Sequence, residues 1–138
     1  MTDQRVRPLS LARVRVRDCM HAGVMSCAPD DSIRTVAAIM ANYRVHAVVV
    51  ARRNGSRPLG IVSDLDMVSA AAAGETDGTV LQMAATEPLT ISCDESLEHA
   101  ALAMSQHAVS HLVVVDRAGG YPLGILSTLD IAAVCADG

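Results

Sequence analysis

Apolar positions along the chain change period several times, and the changes mark its elements. Val16-Arg17-Asp18-Cys19-Met20 reads as a short helical turn, and Val24–Cys27 as a short extended segment before Pro29. From Ile33 to Tyr43 the apolar residues Ile33, Val36, Ala37, Ile39 and Met40 recur at helical spacing, with Asp31-Ser32 offering an N-cap. Ala47–Ala51 is an unbroken, β-branched apolar run, the mark of a buried strand. Asn54-Gly55-Ser56 supplies a turn, Leu59–Val62 a second strand able to pair as a hairpin, and Asp64–Ala73 an Ala-rich helix stopped at Gly74.

The series then restarts. Leu89–Ser92 reads as a strand, and Ser96 caps a helix whose apolar face holds Leu97, Ala100, Ala101 and Met104. His111–Val115 and Leu123–Leu126 are strands around a Gly119-Gly120 turn, and Thr128–Ala136 is the last helix. Laying Val16–Gly74 over Val80–Gly138 needs no gap at a period of about 64 residues and leaves about 19 of 59 positions identical. Chance would give roughly 5 in a chain this rich in Ala and Val. The expected organisation is an arm over 1–13, a first repeat over 14–74, a linker over 75–78 and a second repeat over 79–138. Each repeat is strand–helix–strand–strand–helix, an α/β (α+β) unit too one-sided to bury its own sheet. Two such units packed together would leave clefts between them.

Composition narrows the picture. The chain has 138 residues and a net charge of −4; 51% of residues are hydrophobic, with no Phe or Trp. The core must therefore come from Val, Ile, Leu, Ala and Met. No apolar run approaches the roughly 18 residues of a membrane span, and no apolar signal core follows the start, so a cytoplasmic protein without a membrane partner is expected. Cys19, Cys27, Cys93 and Cys135 share no CxxC spacing and read as reduced, small core residues. Arg5, Arg7, Arg13, Arg15 and Arg17 face only Asp3 in the opening segment. A solvated arm folding back on an acidic body explains them, and a phosphate or nucleic-acid clamp is the alternative. Scarce aromatics make nucleic acid an unlikely partner.

The chemistry concentrates where the second strand of each hairpin meets its helix. Gly60-Ile61-Val62-Ser63-Asp64-Leu65-Asp66 recurs as Gly124-Ile125-Leu126-Ser127-Thr128-Leu129-Asp130. Glycine admits close approach. Ser63 and Ser127 fall at helix N-termini, where unpaired amides and the dipole favour a phosphate. Asp66 and Asp130, three residues on, could accept both hydroxyls of a ribose. The competing reading is a capping box, Ser followed three residues later by an acid.

With these motifs in view, the chain resembles a pair of cystathionine-β-synthase-type (CBS) repeats, a Bateman module. The resemblance covers about residues 14–138. It rests on Val16–Met20, Val45–Val50, Val109–Asp116 and the two Gly-Ile-x-Ser-x-Leu-Asp junctions. It implies a pseudo-two-fold pair that regulates rather than catalyses. The implied ligands are adenosyl compounds: AMP, ADP or ATP first, with S-adenosylmethionine or NAD as further candidates and no obligatory cofactor. By position, Ser127 and Asp130 should face Met25, Val45 and His46, while Ser63 and Asp66 should face Leu89, Val109 and Ser110. His111 is either a phosphate contact or a half-buried strand histidine. Arg44 either touches phosphate or stays solvated. Glu87 stands where the first repeat has Gly23, so the cleft of Asp130 is expected to dominate for phosphate-bearing ligands.

No catalytic triad, metal spacing or phosphate-binding loop is present, so no enzyme activity is expected. The helices carry Ala, Val and Met beyond one narrow face, which points to a homodimer. Two functions stay open: an adenine-nucleotide sensor signalling to a protein partner, or a ligand-independent dimeric scaffold.

Overall fold

The computed structural model describes residues 10–52, 57–83, 87–118 and 120–137. The Asn54-Gly55-Ser56 turn and Gly119 lie outside them. A 3-10 turn at Val16–Asp18 opens the chain, followed by β1 (His21–Ala22), β2 (Ser26–Cys27), α1 (Ile33–Tyr43), β3 (Ala47–Val50), β4 (Gly60–Ser63) and α2 (Asp64–Ala72). The second half runs α3 (Val80–Met83), β5 (Thr90–Ser92), α4 (Leu97–His107), β6 (His111–Val115), β7 (Pro122–Ser127) and α5 (Thr128–Asp137). The two halves are a mixed α+β pair.

The repeat is visible in the hydrogen bonds. Ser32 Oγ accepts from the Thr35 amide and Ser96 Oγ from the His99 amide, so α1 and α4 are capped alike. Both helices end on a left-handed residue with φ of 53°, Arg44 in one and Ala108 in the other. In each half a parallel strand pair is followed by an antiparallel one: Ser26 faces Val49 as Thr90 faces Val113, and Ala47 faces Ser63 as His111 faces Ser127.

Two cores follow from this pattern. Val36, Met40, Val48, Val50, Val62 and Cys27 fill the first; Leu97, Ala100, Met104, Leu112, Val114 and Leu126 fill the second. Each also takes one fully buried residue from the opening of the other repeat. Val80 is fully buried in the first core, and Val16 in the second. Backbone bonds hold the exchange: the Val16 amide donates to the Glu95 carbonyl, and the Leu97 amide to that of Val14. Arg17 and Arg117 both pair with the Asp94 carboxylate, and Arg15 donates to its carbonyl. The arginines beyond residue 13 thus fold back on an acid of the second repeat.

The exchange also adds an unexpected strand. β1 pairs antiparallel with β7, giving a four-stranded sheet β1-β7-β6-β5 beside a three-stranded sheet β2-β3-β4. A two-residue strand is too short to show periodicity, and the same holds for the single turn of α3. A Cβ on Gly124 would overlap the His21 carbonyl oxygen, so β1 docks there only because position 124 is glycine.

Candidate functional site

Both junction serines begin as caps. Ser63 Oγ accepts from the Asp66 amide at 3.2 Å while Asp66 Oδ2 accepts from the Ser63 amide at 2.8 Å. Ser127 and Asp130 repeat the arrangement at 3.4 and 2.8 Å, and the Ser127 hydroxyl also donates to Asp130 Oδ2 at 3.1 Å. The capping box anticipated as the competing reading is therefore real in both repeats.

A cleft of about 900 Å³ opens between the repeats. From the first repeat it takes His21–Met25, the end of α1 and start of β3 (Arg44–Ala47), and Asp64 and Leu65 at the start of α2. The second repeat contributes Ser110, His111, Ile125, Ser127, Thr128 and Leu129. Met25, Val45 and His46 thus share one cavity with Ser127, and Ser110 and His111 join them. Asp130 does not line it. Its side chain is only 9% exposed, and His21 Nδ1 stands 3.2 Å from its Oδ1. Ser63 and Asp66 do not reach this cleft, nor do Leu89 and Val109, which pack against the second core. Positions 84–86 lie outside the described residues.

Electrostatics set the two helix starts apart. Asp64 Oδ1 accepts from the Leu65 amide at 2.8 Å, and its Oδ2 contacts His46 Nδ1 at 2.8 Å. The hydrogen bond from His46 holds the Asp64 carboxyl below its usual range. In the second repeat Thr128 replaces Asp64, and among the described residues no side chain takes the Leu129 amide. The first turn of α2 carries Asp64 and Asp66, that of α5 only Asp130. α5 therefore presents the more positive end to the cleft. His111 is half-buried, and burial lowers its pKa more than the neighbouring carboxylates of Asp64, Asp130 and Asp66 raise it; His46 adds to the lowering. Its Nδ1 lies 2.9 Å from Ser110 Oγ.

Sequence reasoning missed His21, Asp64, Leu65, Thr128 and Leu129 as cleft residues. The Asp64/Thr128 difference was a usable signal, because it changes charge beside the junction serine. His21 had none: it sits in a stretch whose likeness to the second repeat has decayed. Among the described residues, no three His, Cys, Asp or Glu side chains form a metal site. Of the four cysteines expected in the core only Cys27 is buried, Cys19 and Cys93 are half-buried, and Cys135 on α5 is exposed. Burial pushes the Cys27 thiol up to about 11, so it stays protonated.

The sequence model of the CBS domain family matches residues 16–73 and again 80–137. The chain belongs to the CBS domain family. The CBS domain-containing protein YhcV of Bacillus subtilis is 29% identical over 119 residues, which are 85% of this chain and 82% of YhcV. The homoserine O-acetyltransferase of Methanosphaerula palustris is 32% identical over 113 residues, 82% of this chain but only 22% of that enzyme. Among solved structures, a CBS domain protein of Pyrobaculum aerophilum complexed with AMP superposes with a TM-score of 0.80 at 29% identity, covering 90% of this chain and 97% of that one. Among the described residues no helix of this CBS pair is long and apolar enough to cross a membrane.

Proposed function

We propose that this CBS pair is a regulatory, non-catalytic module that binds an adenosyl ligand in the central cleft and reports occupancy to a protein partner. One observation carries the reading: Met25, Val45 and His46 of one repeat face Ser127 of the other across a single cavity. Adenine lies against Met25 and Val45. The ribose lies toward Asp130, and the phosphate at the start of α5, near Ser127 and the Leu129 amide. Arg44, His46 and His111 add positive or donor groups around that phosphate. AMP is the first candidate, since the Pyrobaculum relative binds it. ADP, ATP, S-adenosylmethionine and NAD follow. This cleft dominates over one at Ser63 and Asp66, where Asp64 already holds the Leu65 amide.

The reading includes a homodimer. No residue of α2 or α5 is buried, and Leu65, Val68 and Leu129 are 67%, 62% and 72% exposed. Beside α2 an apolar groove of about 650 Å³ is lined by Ala37, Met40, Ala41, Met67 and Val68. An exposed apolar surface of this kind marks association. The cysteines are free, which fits a reducing, cytoplasmic setting. The same helices are what favour the second reading, a ligand-independent dimeric scaffold.

A thermal-shift panel of AMP, ADP, ATP, S-adenosylmethionine and NAD separates the two. A ligand at 100 times its Kd stabilises by about 2.7 kcal/mol. No shift with any of them, alongside a stable dimer in light scattering, leaves the scaffold. Calorimetry on Asp130→Ala and Asp66→Ala then tests the cleft: the tighter binding is lost in the first and kept in the second.

A further inference from the structure

The carboxylate assigned to the ribose already has every oxygen engaged. Asp130 Oδ2 accepts from the Ser127 amide and hydroxyl, and Oδ1 faces His21 Nδ1 at 3.2 Å. The cavity wall includes His21 but not Asp130. His21 is 78% exposed at its side chain and Asp130 only 9%, so the imidazole stands between the cleft and the acid. Asp66 bonds the Ser63 amide in the same way, but among the described residues no histidine or other charged side chain stands within ion-pairing distance of it.

We propose that His21 is a positioning residue that sets ribose selectivity: it engages Asp130 Oδ1, and a ligand's vicinal diol binds only by displacing it. This rests on the adenosyl reading of the cleft. The displacement is local. β1 keeps its backbone ladder to Ile125 and Gly124, and the Gly23 amide still donates to the Leu123 carbonyl. The exposed imidazole can therefore rotate into solvent without undocking the strand. A diol then gains its bonds to Asp130 at the cost of the His21 contact. A 2′-deoxyribose keeps only the 3′-hydroxyl, so it gains at most one of those bonds and rewards displacement of His21 less. The cleft thus discriminates less between ribose and deoxyribose than an unobstructed carboxylate would.

Calorimetry with adenosine and 2′-deoxyadenosine tests this on the wild type, His21→Ala and His21→Asn. Without phosphate on either ligand, loss of the imidazole near the phosphate position does not confuse the result. His21→Ala should tighten adenosine about fivefold, the scale of an exposed histidine–carboxylate contact, and tighten 2′-deoxyadenosine clearly less. His21→Asn places an amide N–H near the site of Nδ1 and should keep the wild-type ratio of the two affinities. An effect on general stability would move both nucleosides equally. Adenosine binding that is unchanged or weaker in His21→Ala, or an equal gain for 2′-deoxyadenosine, overturns the role of His21 while the cleft assignment stands. If neither nucleoside nor AMP binds any of the three proteins, the adenosyl reading itself fails and this role fails with it.

Discussion

The two strand-to-helix junctions carry nearly the same seven residues and make the same capping box, yet they sit in different surroundings. At the Ser127 junction the strand is flanked on both sides, by β6 and by the borrowed β1. Its acid is buried under His21, and its helix start opens into the cleft. At the Ser63 junction no described strand flanks β4 beyond β3, the acid is exposed, and the helix start, which lines the same cleft, is already occupied by Asp64. The motif fixes the local backbone in both places. What differs is supplied from elsewhere: by the opening of the other repeat, and by one residue beside the serine. A ligand site is thus a property of the assembled pair, not of the motif.

The largest test of that difference is at Gly124. Gly124→Ala forces a Cβ onto the His21 carbonyl and should undock β1, costing about 2 kcal/mol, the usual scale of overpacking. Urea denaturation measures the loss; a cost well under about 1 kcal/mol would mean that β1 contributes nothing to the second junction.

A smaller effect is expected at the caps. Ser→Ala at an N-cap costs about 1 kcal/mol. Ser127→Ala also removes a donor to a carboxylate that is nearly buried, whereas Asp66 can turn to water when Ser63→Ala is made. Ser127→Ala should therefore lower the melting temperature more. Reversal of that order would show that the Ser127 hydroxyl is dispensable to Asp130.

The extent to which this comparison was legible in the sequence follows from interaction range. The helix spans Ile33–Tyr43 and Leu97–His107 and the strand His111–Val115 follow from periodicity and caps, because those signals are local. The meeting of Met25, Val45 and His46 with Ser127 was reached through the family resemblance, which encodes how the repeats pair. The exchange of Val16 and Val80 between cores, β1, and the His21 contact were not legible. Val16, β1 and His21 meet residues more than sixty positions away, Val80 meets Asp31 across the repeat boundary, and all lie in segments too short for any period. The Asp64/Thr128 difference was in plain view but lost inside an otherwise matching motif.

A pH effect should also separate the repeats. His111 takes the place that Ala47 has in the first repeat. Burial lowers its pKa in the folded protein. The unfolded chain then takes up a proton that the folded one resists, so stability is full above the unfolded value of about 6.5 and falls as pH drops below it. His111→Ala should flatten the fall in melting temperature between about pH 7 and 5. An unchanged slope would place the acid sensitivity in other groups.

The finest test converts one helix start into the other. Asp64→Thr gives α2 the residue that α5 has. Asp64 lines the cleft, so its loss removes a carboxylate from the phosphate's surroundings. It also releases the Leu65 amide and frees His46 from its acid partner. All three changes favour an anion, but Asp64 is largely exposed and water screens it. AMP should bind about two- to threefold more tightly, and adenosine equally well. The cost of the substitution in stability fades at low pH. A carboxylate held below its usual range stabilises the fold above the unfolded pKa, and that contribution is lost as pH falls through the folded one. The variant should therefore start slightly less stable at neutral pH and lose less on acidification below about pH 4. Equal gains for AMP and adenosine would mean that Asp64 acts on the cleft through shape rather than charge, and the electrostatic distinction between the two helix starts would fall.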